Sequence, residues 1–157
     1  MSSPKHTVTH GSFTIERTYD ATPARVFAAW TRAEQKQQWF KGPPEWDSHH
    51  ALDFRIGGSE QSVGGPEGGP VHRFDSHIYD IVPNERVVSA YEMYLDDTRI
   101  SVSLATLELQ RVGKGTRLVY TEHGAFLDAF DKPAGREEGT RGLFDMLGAF
   151  LAEHPEE

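Results

Sequence analysis

Cysteine is absent from the 157-residue sequence, which excludes disulfides and thiolate chemistry. Long apolar runs are missing as well, and no stretch approaches the length needed to span a bilayer. There is no extended basic run. The formal net charge is −8, with acidic residues spread along the chain, which argues against nucleic-acid backbones and anionic membranes as partners. Neither a nucleophile elbow, a P-loop nor a Gly-x-Gly-x-x-Gly fingerprint occurs. The first ten residues are polar and unlike a secretory leader. The expectation is a cytoplasmic protein with a flexible tail over residues 1–10 and one domain over residues 11–157. A chain of this length buries roughly 70% of its unfolded surface, enough for a sizeable core.

What is present begins with Tyr19 to Trp30. Thr22 can cap a helix with its hydroxyl, Pro23 suits the first turn, and Val26, Phe27 and Trp30 share one helical face. Thr31-Arg32-Ala33-Glu34 reads as a capping box opening a second short helix, expected over Arg32 to Phe40. Ser12 to Thr18 alternates as a strand ahead of these helices. After them, strands are expected at Trp46 to Arg55, Ser59 to Val63, Val71 to Val82, Arg86 to Tyr94, Arg99 to Arg111 and Thr116 to His123. The spacings between them favour hairpins over parallel crossovers. Ala134 to His154 then changes period, with Leu143, Phe144, Leu147, Phe150 and Leu151 forming an apolar helical stripe. The order β-α-α-β6-α defines an α+β domain in which a curved antiparallel sheet has one apolar face. The long C-terminal helix is the one element large enough to cover it, and the two-helix insert can plug one end.

Four ordered stretches resemble a known family. They are Tyr19 to Trp30, Gln38-Trp39-Phe40, Asp53-Phe54-Arg55-Ile56-Gly57-Gly58 and Val82-Pro83-Asn84-Glu85-Arg86-Val87-Val88, completed by Gly115-Thr116-Arg117-Leu118 and the final helix. Together they are similar to the START/SRPBCC helix-grip superfamily, and within it to the activator of heat-shock-protein-90 ATPase-like branch. Gly124 to Asp128 and Arg136 to Gly142 resemble bacterial stand-alone members of that branch. Many of those have a tryptophan where this chain has Leu143. The resemblance implies a cavity between sheet and C-terminal helix that takes a small hydrophobic or amphipathic molecule. It also implies that Val87, Ser89, Tyr91 and Met93 face inward.

The candidate site residues fall in groups. Aromatic candidates for the cavity wall are Trp39, Trp46, Phe54, Phe74, Tyr79 and Tyr91, with Phe126, Phe130 and Phe144 further along and Met93 beside Tyr91. The same side chains also suit ordinary core packing. A polar set comprises Glu122, His123, Asp128, Asp131, Arg136, Glu137 and Arg141. It reads either as surface ion pairs, including Glu137 with Arg141 one helical turn apart, or as a cluster at the cavity mouth holding a ligand oxygen. Neighbouring strand positions diverge, so His49 and His50 do not share a metal ion, and neither do His72 and His77. No metal and no cofactor are expected. Gly139, Gly142 and Gly148 each cost about 1 kcal/mol of helix propensity, which close packing or room for a ligand must offset. Ligand binding ranks first as the function. A polyketide cyclase/dehydrase- or hydrolase-like enzyme using Tyr91, Glu122 or His123 for acid–base chemistry comes second, and a chaperone-interaction module third. A homodimer formed through a sheet edge is compatible with all three.

Overall fold

Thr22 and Pro23 do start the first helix. In the computed structural model, which describes residues 6–155, the Thr22 hydroxyl accepts the Arg25 amide at 3.2 Å and Pro23 occupies the first helical position. This opens α1 (Pro23–Thr31), which follows β1 (Val8–Tyr19) and precedes α2 (Ala33–Lys36). The remaining elements are β2 (His49–Leu52), β3 (Ser59–Gly64), β4 (His72–Val82), β5 (Arg86–Leu95), β6 (Thr98–Val112), β7 (Gly115–Leu127) and α3 (Pro133–Glu153). The order is β-α-α-β6-α, as expected. The strands form one antiparallel, unclosed sheet in the order β1-β7-β6-β5-β4-β3-β2. No helix among the described residues is long and apolar enough to cross a membrane.

Alternation along β6 shows how the sheet makes a core on one side. Leu107 and Leu109 point inward and are buried, whereas Val102 and Leu104 point outward and are exposed. α3 lays Phe144, Leu147, Phe150 and Leu151 on the inner face. It is fixed at one edge, where the Tyr19 hydroxyl donates to the Phe144 carbonyl at 2.8 Å. The helix comes closest to β1 and α1. A space is therefore left over β3 to β6, where each strand contributes one small inward residue: Ser62, Ser76, Ser89 and Ala105.

Several boundaries differ from expectation, each for a local reason. The second helix closes after one turn, because the Gln38 and Trp39 amides bond three residues back, to Gln35 and Lys36. The expected capping box is not made. The Thr31 hydroxyl donates instead to the Phe27 carbonyl of α1 at 2.7 Å, and Arg32 stands at the cap without a side-chain bond. The strand expected from Trp46 shortens to His49–Leu52, since Trp46 closes a turn onto Pro43 and Asp53 bonds across to Ser59. β7 runs on to Leu127 because Val8 to Gly11 pair with Leu127 to Gly124. Val8 to His10 thus belong to β1 rather than to a flexible tail, and residues 1–5 of that expected tail lie outside the described residues. Gly11 is required where the chain enters α3, since a Cβ there would stand 2.5 Å from Pro133.

The helix glycines separate. A Cβ on Gly148 would sit 3.1 Å from the Tyr19 ring, a close approach of helix to sheet. Around Gly139 and Gly142 a Cβ meets nothing within 4 Å. Gly139 lines the space over the sheet, whereas Gly142 faces solvent. Gly142→Ala is therefore expected to raise unfolding free energy by about 1 kcal/mol, read from the urea midpoint. Gly148→Ala is expected to give no such gain.

Candidate functional site

The space between sheet and helix is a cavity of about 370 Å³. Its floor includes these small inward residues of β3 to β6. Trp30, Trp39 and Phe40 of the insert form one wall, Phe74, Tyr91 and Met93 of β4 and β5 another, and Leu143 and Phe144 of α3 the roof. Trp46, stacked on His72 at 4.7 Å between ring centres, and Phe54 complete the rim. The aromatic walls brace one another: Phe40 meets Phe74 edge-on at 5.2 Å, and Trp30 stacks on Phe144 at 5.7 Å.

At one end, α3 brings Arg136 to the sheet. Its Nη1 donates to the Tyr91 hydroxyl at 3.0 Å, and its Nη2 donates to Ser101 Oγ at 2.8 Å and Asp131 Oδ2 at 3.0 Å. Glu122, 1% exposed, lies behind, accepting from the Tyr91 hydroxyl at 2.8 Å and the Tyr120 hydroxyl at 2.6 Å. Burial, aided by the Glu122 charge, pushes both phenols well above their ordinary range, so both remain donors. Burial opposes the Arg136 charge, but Tyr91, Glu122 and Asp131 outweigh it and raise its pKa further. The guanidinium also covers the Phe126 ring at 5.1 Å. Tyr91→Phe takes one donor from Glu122 and one acceptor from Arg136. It is expected to cost about 1–2 kcal/mol in chemical denaturation.

A second polar group stands by the insert. Lys36, 3% exposed, places Nζ 2.8 Å from Glu60 Oε1, and His50 Nε2 lies 2.7 Å from Glu60 Oε2. The Lys36 ammonium also sits over the Trp30 and Phe40 rings, at 4.3 and 4.6 Å from their centres. Burial pulls the Lys36 pKa below its ordinary value against the pull of Glu60. Burial likewise works against the Glu60 charge, but Lys36 and the His50 hydrogen bond overcome it and hold the carboxyl low. Lys36 and Glu60 both line the cavity.

Of the residues expected from sequence, Trp39, Trp46, Phe54, Phe74, Tyr91, Met93 and Phe144 line this cavity. Glu122 is beside it, one hydrogen bond behind Tyr91. Four do not line it. Tyr79 is 62% exposed, because it follows the buried Ile78 and strand alternation turns it outward. Phe130 is 53% exposed in the turn after β7, where Asp128 and Ala129 both take positive φ. Phe126 is buried beneath Arg136, outside the cavity. Arg141 turns outward and pairs with Glu137 at 2.8 Å. The polar set therefore divides: Glu122, Asp131 and Arg136 converge, and Asp128 pins the start of β1 through the Thr7 amide. His123 is exposed, which removes it as a base inside the cavity.

Lys36, Glu60 and the inward role of His50 were missed. β3 reads Ser-Glu-Gln-Ser-Val-Gly, which has no apolar alternation to say which face is inward. The position of Lys36, three and four residues before Trp39 and Phe40, was the one available signal.

A curved sheet closed by one long helix, with a cavity between them, defines a helix-grip α+β domain. The chain matches the family model described as Activator of Hsp90 ATPase homolog 1-like protein over residues 20–152, and it belongs to that family. It is similar to the solved structure of an uncharacterised protein from Rhizobium leguminosarum, with 41% identity and a TM-score of 0.90, covering 95% of this chain and 99% of that one. The Mll3558 protein from Rhizobium loti is also similar, with 46% identity, a TM-score of 0.85 and coverage of 92% and 99%. Protein CV1439 from Chromobacterium violaceum, at 22% identity and TM-score 0.75 over 89% and 96%, shares the fold. Comparison with curated proteins gives no match.

Proposed function

We propose that this domain binds a small, largely apolar and uncharged molecule carrying one or two hydrogen-bonding oxygens, in the cavity between the sheet and α3. The observation that carries this reading is the set of small inward side chains Ser62, Ser76, Ser89 and Ala105, which step diagonally across β3 to β6. Four neighbouring strands place small side chains where larger ones would have filled a 157-residue core, and aromatic walls surround the space. Charge supports the uncharged ligand. Arg136 lies against Asp131 and Glu122, and Lys36 against Glu60, so neither buried cation is free for an acidic head group, and Lys41, the other cation of the lining, is exposed to solvent. Hydroxyls of Ser76, Ser89 and Thr140 offer neutral hydrogen bonding along the wall.

The chaperone reading has less support. The large apolar side chains exposed among the described residues are spread over several regions: Val8, Ile56, Val71 and Val112 at strand ends and turns, Phe130 in the turn after β7, Met146 on α3, and Tyr79, Val102 and Leu104 on the outer face of the sheet. A thermal-shift series at equal chain length tests the proposal. The ketone 2-undecanone and 1-undecanol are expected to raise the melting temperature more than undecanoate or undecylamine. A preference for either ion, or no shift with any of the four, contradicts it.

A further inference from the structure

We propose that Lys36 is a carbonyl-capturing amine, forming an imine with an aldehyde or ketone held in the cavity. The inference rests on the ligand-binding reading and names the ligand's reactive group.

Three features of the geometry point there. First, Lys36 and Glu60 form a buried ion pair that lines the cavity beside aromatic rings, and packing alone does not call for such a pair. Apolar residues of similar volume hold such a site as well as a buried ion pair does, or better. Second, Lys36 has a route for its proton. Glu60 bridges Nζ at 2.8 Å and His50 Nε2 at 2.7 Å with its two oxygens, so a proton leaving Nζ can reach the imidazole across one carboxylate. His50 Nδ1 is buried with no hydrogen-bond partner among the described residues; with the ring hydrogen on Nδ1, Nε2 is left to accept a proton from Glu60. Third, the Trp30 and Phe40 faces that hold the ammonium also suit an iminium, which carries the same charge at the same place. Burial pulls the Lys36 pKa downward and so raises the share of free amine.

The step balances without an external reagent. The Nζ lone pair attacks the carbonyl carbon, the C–N bond forms and the C=O π pair moves to oxygen. Nζ gives its extra proton to Glu60, which returns it to that oxygen, and the carbinolamine then loses its hydroxyl with the remaining nitrogen proton as water. Carbonyl and amine become imine and water, with no oxidation or reduction. The apolar wall opposes the return of water and thus hydrolysis.

Reductive trapping tests the proposal. The full chain is incubated with octanal or 2-naphthaldehyde and sodium cyanoborohydride, then analysed by intact mass and peptide mapping. One adduct per chain is expected, on Lys36, formed about tenfold faster than on the exposed Lys114 and Lys132, since the cavity holds the aldehyde beside Nζ. Lys36→Arg, with folding checked by circular dichroism, is expected to lose the adduct, and the wild-type peptide map decides the matter alone if that variant does not fold. Adducts scattered over the exposed lysines with Lys36 unmodified, in a protein that still binds the neutral probe N-phenyl-1-naphthylamine, overturn the imine and leave the cavity reading standing. Failure to bind that probe removes both.

Discussion

Lys36→Met is expected to cost the fold about 3–5 kcal/mol in chemical denaturation, the usual result of leaving one partner of a buried ion pair uncompensated. Glu60 is 6% exposed and would keep only the His50 hydrogen bond. The pH dependence carries the sign. In the wild-type protein the Glu60 pKa is lowered on folding, so its contribution is present above the unfolded carboxyl value and lost as pH falls through the folded one. Without Lys36, burial dominates and the folded pKa rises above the unfolded value. The variant should then gain stability, relative to wild type, as pH is lowered from neutral toward the carboxyl range. Lys36→Met/Glu60→Gln removes the charge while keeping an oxygen for His50, and should recover most of the loss. A small cost, with the acid limb of the stability curve unchanged, would mean that the pair is solvated and not part of the cavity wall.

Ala105→Phe is expected to weaken binding of a neutral apolar ligand by roughly a hundredfold while leaving the fold intact. Ala105 lies on β6 in the cavity floor, between Ser89 on the neighbouring strand and the aromatic walls. A phenyl ring there enters empty space instead of an already filled core, so the strain that follows from overpacking is avoided. The ligand loses contact with about 100 Å² of apolar surface, worth about 2.5 kcal/mol, or close to two decades of affinity. Fluorescence titration against wild type reads the change. Unaltered affinity would place the ligand elsewhere on the molecule.

The fold was legible because its signals are local. Thr22-Pro23 announces α1, glycine and asparagine turns separate the hairpins, and the period change at Ala134 marks α3. The alternation of β5 put Tyr91 and Met93 on one face, and the family resemblance said that this face is the inner one. What failed did so for separate reasons. Tyr79 is five residues from Phe74, so alternation along β4 puts the two on opposite faces and only one of them can line the cavity. Phe130 failed because two positive-φ residues, neither of them glycine, turn the chain before it.

The site was half legible. Arg136, Asp131 and Glu122 lie within 15 residues of one another and belong to the seven-residue polar set that the sequence marks out there. Lys36, His50 and Glu60 come from three elements, α2, β2 and β3, and nothing in the sequence brings them together. The antiparallel pairing of His50 with Ser62 and Leu52 with Glu60 does so. Their shared carboxylate is a product of strand register, which a short polar strand does not encode by pattern.

The central claim is that the space over Ser62, Ser76, Ser89 and Ala105 receives one neutral, largely apolar molecule. Titration of the wild-type protein with N-phenyl-1-naphthylamine tests it most directly, with 2-undecanone as competitor. Saturable binding of one probe per chain, reversed by the ketone, is the predicted result. Absence of saturation, or a bound probe that the ketone does not displace, would contradict the account.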